Sequence, residues 1–148
     1  MNTTRQSLLK RWINFYPPFL GAGIHSHAID DYTIRVNLKL SFFNRNAVGS
    51  HFGGSLYAMC DPWYMLILMR VLGSDYTVWD KAASIQFLHP GRGTVTATFN
   101  IPRERVAEIR QAADAGQKIE PMFVVDVLDA QNQVVVHVEK LLYVRKKK

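Results

Sequence analysis

The sequence predicts an α+β domain in which an antiparallel sheet wraps one long central helix. Three observations carry this. Apolar and polar residues alternate with a period of two in several segments separated by turn residues, the mark of half-buried strands. One 24-residue stretch, Asn46 to Met69, is apolar on nearly every face from Leu56 onward, as in a buried helix rather than an amphipathic one. The 148-residue chain shows no linker, repeat or low-complexity tract, so 1–148 reads as a single domain. With 48% hydrophobic residues, a chain of this length can bury a core without staples.

Taken in order, Leu8, Leu9, Trp12, Ile13 and Tyr16 recur at helical spacing, which predicts a short helix over about 4–16. Thr3 or Thr4 could cap it, and Pro17-Pro18 breaks the stretch. A short strand over Ile24 to Ile29 leads through an Asp30-Asp31 turn into a second. There Ile34, Val36, Leu38 and Leu40 alternate with polar neighbours. The long central helix follows. Val78 to Phe87 then reads as a strand whose odd positions Trp79, Ala83, Ile85 and Phe87 share a face. With the turn His89-Pro90-Gly91-Arg92-Gly93 and the alternating Thr94 to Phe99, it predicts a hairpin. Pro102 opens a polar helix to about Ala115, with Val106, Ile109 and Ala113 on its inner stripe and Gly116 ending it. Strands over about Ile119 to Leu128 and Val134 to Val144 close the chain.

Charge and cysteine content narrow the function. The net charge is +6, but Arg145 to Lys148 supply four units, and the rest is nearly balanced. That tail reads as a solvated, frayed terminus. Nothing matches a Walker loop, a dinucleotide fingerprint or a nucleic-acid module. No apolar run approaches the roughly 20 residues that span a bilayer, and the N-terminus lacks a convincing signal peptide. The expectation is a cytoplasmic protein with no nucleic-acid or membrane partner. His25 and His27 have no partners at metal-ligand spacing and read as ordinary strand residues, so no metal is expected. Cys60 reads as a buried, inert thiol. Lys81, beside Asp80, interrupts an apolar strand and reads as an ion-pair or cleft residue.

The residue to explain is Asp61, the single formal charge in the apolar stretch. A carboxylate is almost never buried without a partner. Asp61 could cap a second helical piece that begins at Pro62. It could equally project into a cleft as a base or nucleophile. Gly53-Gly54, just before the helix, would let a ligand approach the backbone and meet free N–H groups, as an oxyanion site requires.

Asn46, Gly49, Gly53, Gly54 and Asp61 match the spacing in hotdog-fold acyl-CoA thioesterases of the phenylacetic-acid-pathway type. The segment from Ala83 to Gly93 resembles that family's strand and turn. The resemblance covers roughly Thr33 to Val144, and its overall pattern, including FGGSLYAMCDP and WDKAASIQF, looks closest to an uncharacterised hotdog branch known only as a domain of unknown function. The resemblance implies an acyl-CoA hydrolase in which Gly54, with Gly53, polarises the thioester carbonyl. Asp61, contributed across a dimer interface, is base or nucleophile, and Asn46 helps place water. Beside these, His51, Phe52 and Ser55 are candidate substrate contacts, Trp79, Trp63 and Tyr64 could line an acyl pocket or pack in the core, and Arg92 could meet the coenzyme A phosphates or lie solvated in its turn. No cofactor is implied beyond coenzyme A as part of the substrate, and the assembly expected is a homodimer or homotetramer. One departure matters. Phe52 stands where that family has histidine, and His51 lies one residue early. This keeps open a non-catalytic hotdog protein that binds an acyl or lipid-like ligand. His51-Phe52 also echoes the His-Phe-Pro motif of hotdog dehydratases, but Asp61 follows too soon and no proline follows Phe52.

Overall fold

The computed structural model describes residues 12–148, so most of the helix expected over 4–16 lies outside the described residues. Residues Ile13–Phe15 form a 3-10 turn, and α1 (Pro17–Ala22) follows with Pro17 in the first turn. Proline suits that position because its fixed φ is already helical and its missing N–H would be unpaired anyway. Strands β1 (Ile24–Ala28) and β2 (Thr33–Lys39) form an antiparallel hairpin. The Asp30 carboxylate organises its turn, accepting the Tyr32 N–H at 2.7 Å and the Thr33 hydroxyl at 3.2 Å.

The central helix is in two pieces, α2 (Gly53–Ala58) and α3 (Trp63–Leu72), interrupted at Met59–Pro62. Pro62 cannot donate to the ladder and so favours the break. The rest of the chain is β3 (Tyr76–Phe87), β4 (Thr94–Asn100), α4 (Arg103–Asp114), β5 (Met122–Leu128) and β6 (Val134–Lys146). The six strands among the described residues form one sheet in the order β1-β2-β4-β5-β6-β3, every pairing antiparallel. Inward-facing Val36, Leu38, Val95, Phe99, Val136 and Leu142 pack around Trp63, Ile67 and Leu68 of the central helix. This is the hotdog architecture of the α+β class. α4 adds Val106, Ile109 and Ala113 to the core and is ended by Gly116 at φ +84°.

Three expectations are corrected. β3 and β4 are not a hairpin: β3 pairs with β6 at the sheet edge, whereas β4 lies between β2 and β5. The segment joining them crosses the end of the sheet. It is tied to the start of β6 by Leu88 and His89 N–H bonds to the Val135 carbonyl. The second correction concerns parity in β3. A bulge at Lys81 shifts the register between Asp80 and Ala82, and one extra residue swaps the faces. Asp80 pairs with inward Leu142, and beyond the bulge Ala83 and Ile85 pair with inward Lys140 and Val138. Trp79 pairs instead with Tyr143 on the outer face. Trp79 therefore does not share a face with Ile85 and Phe87.

The third is the basic tail, which is not frayed. β6 runs to Lys146, whose ammonium lies 3.0 Å from Asp114, and Lys147 bonds the Asp75 and Ser74 carbonyls. Removing residues 145–148 loses strand pairing and these bonds, a cost of about 1 kcal/mol. The melting temperature is expected to fall by about 2–4 °C in a calorimetric scan, and an unchanged value contradicts this role.

Candidate functional site

Asp61 sits in the break between α2 and α3, its side chain 49% exposed. It does not cap α3: no side chain bonds the first turn of that helix, and the residue before it is Pro62. Its Oδ1 instead accepts two bonds, from the Tyr57 hydroxyl at 3.0 Å and from the Lys140 ammonium at 2.9 Å. Oδ2 has no partner among the described residues. Tyr57 lies in the last turn of α2, and the tight turn that follows, with the Cys60 and Asp61 N–H groups bonded three residues back, brings Asp61 Oδ1 to its hydroxyl.

Lys140 is the partner that the buried-carboxylate argument required. It lies mid-strand in β6, between Phe123 of β5 and Ala83 of β3, and is fully buried. Its Nζ also stands 3.2 Å from Asp80 and 3.4 Å from the Tyr57 oxygen. A readable signal existed. Val136, Val138, Lys140, Leu142 and Val144 are one parity of a strand, and the lysine is the charge among the apolar set. Asp80 faces Lys140, while neighbouring Lys81 sits at the bulge and pairs with Glu120 at 2.7 Å on the surface.

Two carboxylates thus share one ammonium. Burial pushes the Lys140 ammonium toward losing its proton, but the hydrogen bond it donates to Asp61 and the Asp80 charge outweigh it and hold its pKa above the ordinary lysine value. Burial raises the Asp80 carboxyl above the usual range, with Lys140 opposing. Burial, then the bond to Asp61, raises the Tyr57 phenol. The adjacent Cys60 thiol is pushed up to about 12 by burial, which makes it inert as a nucleophile at neutral pH.

The other sequence-selected residues fall into three places. Gly53 and Gly54 open α2, and neither N–H has a hydrogen-bond acceptor within the described chain. Phe52, 57% exposed, lays its ring against Gly54, and Phe87 lies over Gly53. Ser55 is buried one position further on. His51 and Asn46 belong to the loop before the helix. The Asn46 side chain is fully used in shaping it: Oδ1 accepts the Val48 and Ser50 N–H groups, and Nδ2 donates to Ser50 Oγ and the His51 carbonyl. Its structural role is loop closure. His51 is buried, with Nε2 2.9 Å from the Gly93 carbonyl. Tyr64 and Trp79 lie elsewhere. Tyr64 is in the core, stacked on Phe123 with its hydroxyl on the Val124 carbonyl. Trp79 stacks on Tyr143 at 4.0 Å on the outer face of the sheet. Arg92 is exposed in its turn. Among the described residues no cluster of His, Cys, Asp or Glu could hold a metal ion, and no helix is long and apolar enough to cross a membrane.

His51 carries a pH prediction. Burial lowers its pKa below 6.5, against the opposing effect of the Gly93 carbonyl. The unfolded chain takes up a proton as pH falls through 6.5, whereas the folded chain resists it. Stability is therefore complete above that value and declines below it. His51→Gln, which can keep the bond to Gly93 without titrating, is expected to flatten the fall in melting temperature between pH 7 and pH 5. An identical slope in both proteins refutes the assignment.

The sequence pattern of the family described as a domain of unknown function (DUF4442) matches residues 5–144. Among curated proteins, none matches the sequence. Among solved structures, one similar chain is a Pseudomonas aeruginosa protein of unknown function described as a probable thioesterase. It is 18% identical, with 95% of each chain covered and a TM-score of 0.84. A Haemophilus influenzae thioesterase is 18% identical over 93% of this chain and 88% of that one, at a TM-score of 0.68. A Chlorobaculum tepidum protein of unknown function is 17% identical over 95% and 94%, at 0.75. At these identities the likeness establishes the shared hotdog fold.

Proposed function

The chain belongs to the family described as a domain of unknown function (DUF4442), and we propose that it is an acyl-thioester hydrolase acting on acyl-CoA in the cytoplasm. One observation carries this reading: a carboxylate at the break of the apolar central helix, with Oδ1 anchored and Oδ2 open. Such a group can deprotonate water or attack a carbonyl directly. The N–H groups of Gly53 and Gly54 are free to stabilise the oxyanion that forms. The exposed rings of Phe52 and Phe87 border those amides and offer an apolar wall to an acyl chain. The fold relatives described as a thioesterase and a probable thioesterase support the same class. No cofactor enters the reaction beyond the coenzyme A of the substrate, whose phosphates Arg92 could meet from its exposed turn.

The spacing favours a second copy. Asp61 follows Gly54 by seven residues, through the rest of α2 and into the break, and at about 1.5 Å per helical residue this distance argues against one carbonyl meeting both groups of the same chain. β3 supplies the means of pairing, since it is a 12-residue edge strand bonded on one side alone. Joining two β3 edges makes a homodimer that could bring Asp61 of one copy toward the glycines of the other.

The test is release of free coenzyme A from a panel of acyl-CoA thioesters, with light scattering to establish the oligomer. Turnover by a dimer supports the reading. Phe52 at the histidine position favours a second one, a non-catalytic binder of an acyl or lipid-like ligand. A co-purified ligand in native mass spectrometry, with no thioester turned over, selects that alternative.

A further inference from the structure

Lys140 has no explanation in the stability of the fold. A fully buried ammonium loses its hydration, and well-packed apolar residues in place of a buried ion pair are often as stable or more so. The neighbouring inward positions of β6 are apolar: Val136, Val138, Leu142 and Val144. A fifth core aliphatic would satisfy the sheet. The lysine instead spans from the sheet to the helix break, where its Nζ meets Asp61 Oδ1 at 2.9 Å. Tyr57 donates to the same oxygen at 3.0 Å. Asp80, on the far side of the ammonium at 3.2 Å, compensates its charge. The titratable groups facing this centre are thus Tyr57 and Cys60 from the helix side, Asp80 from β3 and Lys140 from β6.

We infer that Lys140 and Tyr57 are positioning residues that clamp Oδ1 of Asp61 and leave Oδ2 as its working oxygen, with Asp80 as the counter-charge that allows Lys140 to stay buried. The clamp matters because the break at Met59–Pro62 removes the helical backbone that would otherwise steady this side chain. An unclamped, half-exposed carboxylate samples several rotamers, and a misplacement of about 1 Å at a reacting group costs on the order of a hundredfold in rate. The inference rests on the hydrolase reading for its kinetic consequence but not for its geometric one.

The test uses a variant that removes the Lys140 arm of the clamp without leaving a buried charge, Lys140→Met with Asp80→Asn. Its melting temperature is expected to stay near that of the parent protein. With an acyl-CoA ester that the parent hydrolyses, kcat is expected to fall 10- to 100-fold while KM stays within twofold. In Lys140→Ala with Asp80→Asn, added ethylamine is expected to restore part of kcat, because the small ammonium can enter beside the half-exposed Asp61. Unchanged kcat in the folded Met variant overturns the inference. If the parent turns over no thioester, the hydrolase reading fails separately, and crystal structures still decide the clamp. One Asp61 rotamer in the parent and several in the Met variant support it; the same single rotamer in both overturns it.

Discussion

Asp61→Asn is expected to lower kcat/KM for thioester hydrolysis by about a thousandfold with the fold and the parent's oligomeric state intact. The amide keeps the shape of the side chain, and its oxygen can still accept from Lys140 and Tyr57. It cannot take a proton from water or attack a carbonyl. The fold survives because two carboxylates share one ammonium. Without the Asp61 charge, Lys140 retains Asp80 at 3.2 Å, and the pair is neutral. Circular dichroism and light scattering on the variant and the parent test whether the fold and the oligomeric state are the same. Parallel assays against the same acyl-CoA esters read the chemistry, and full retention of activity would remove Asp61 from the mechanism.

Lys140→Ala alone is expected to be the most destabilising single change in the site, by about 3 kcal/mol. It leaves a cavity in the sheet, and it leaves the mostly buried Asp80 without a counter-charge. Asp61 suffers less because half of its side chain reaches solvent. For a domain of this size that corresponds to a melting temperature lower by roughly 10 °C. Adding Asp80→Asn is expected to recover much of the loss, since the remaining group is neutral. Thermal unfolding of the single and double variants measures this directly. Equal destabilisation of both would mean that packing, rather than the orphaned charge, accounts for the cost.

The elements legible in the sequence are those whose signal is local. The alternation of Ile34, Val36 and Leu38 requires a strand, because one face must be buried. Val106, Ile109 and Ala113, between Pro102 and Gly116, require a short amphipathic helix for the same reason. The uncharged run around Trp63, Ile67 and Leu68 requires a helix enclosed by the sheet. Asp61 stood out because a single carboxylate in that run demanded a partner. In each case the information is carried by neighbours along the chain.

What stayed hidden depends on residues far apart in sequence. The bulge at Lys81 reverses which residues of β3 face inward, and no pattern within the strand announces it. That reversal turns Asp80 toward the core and Trp79 away from it. The pairing of β3 with β6 rather than β4 is decided by sheet closure around the helix, not by the length of the turn between Phe87 and Thr94. Asn46 looked like a site residue by type and position, yet its amide is consumed by its own loop. The partner of Asp61 lies 79 residues downstream. Composition and periodicity determined that this chain must enclose an apolar helix carrying one acid. Tertiary contact alone decided which cation holds that acid, because a buried charge is paired through space and the chain order does not record the match.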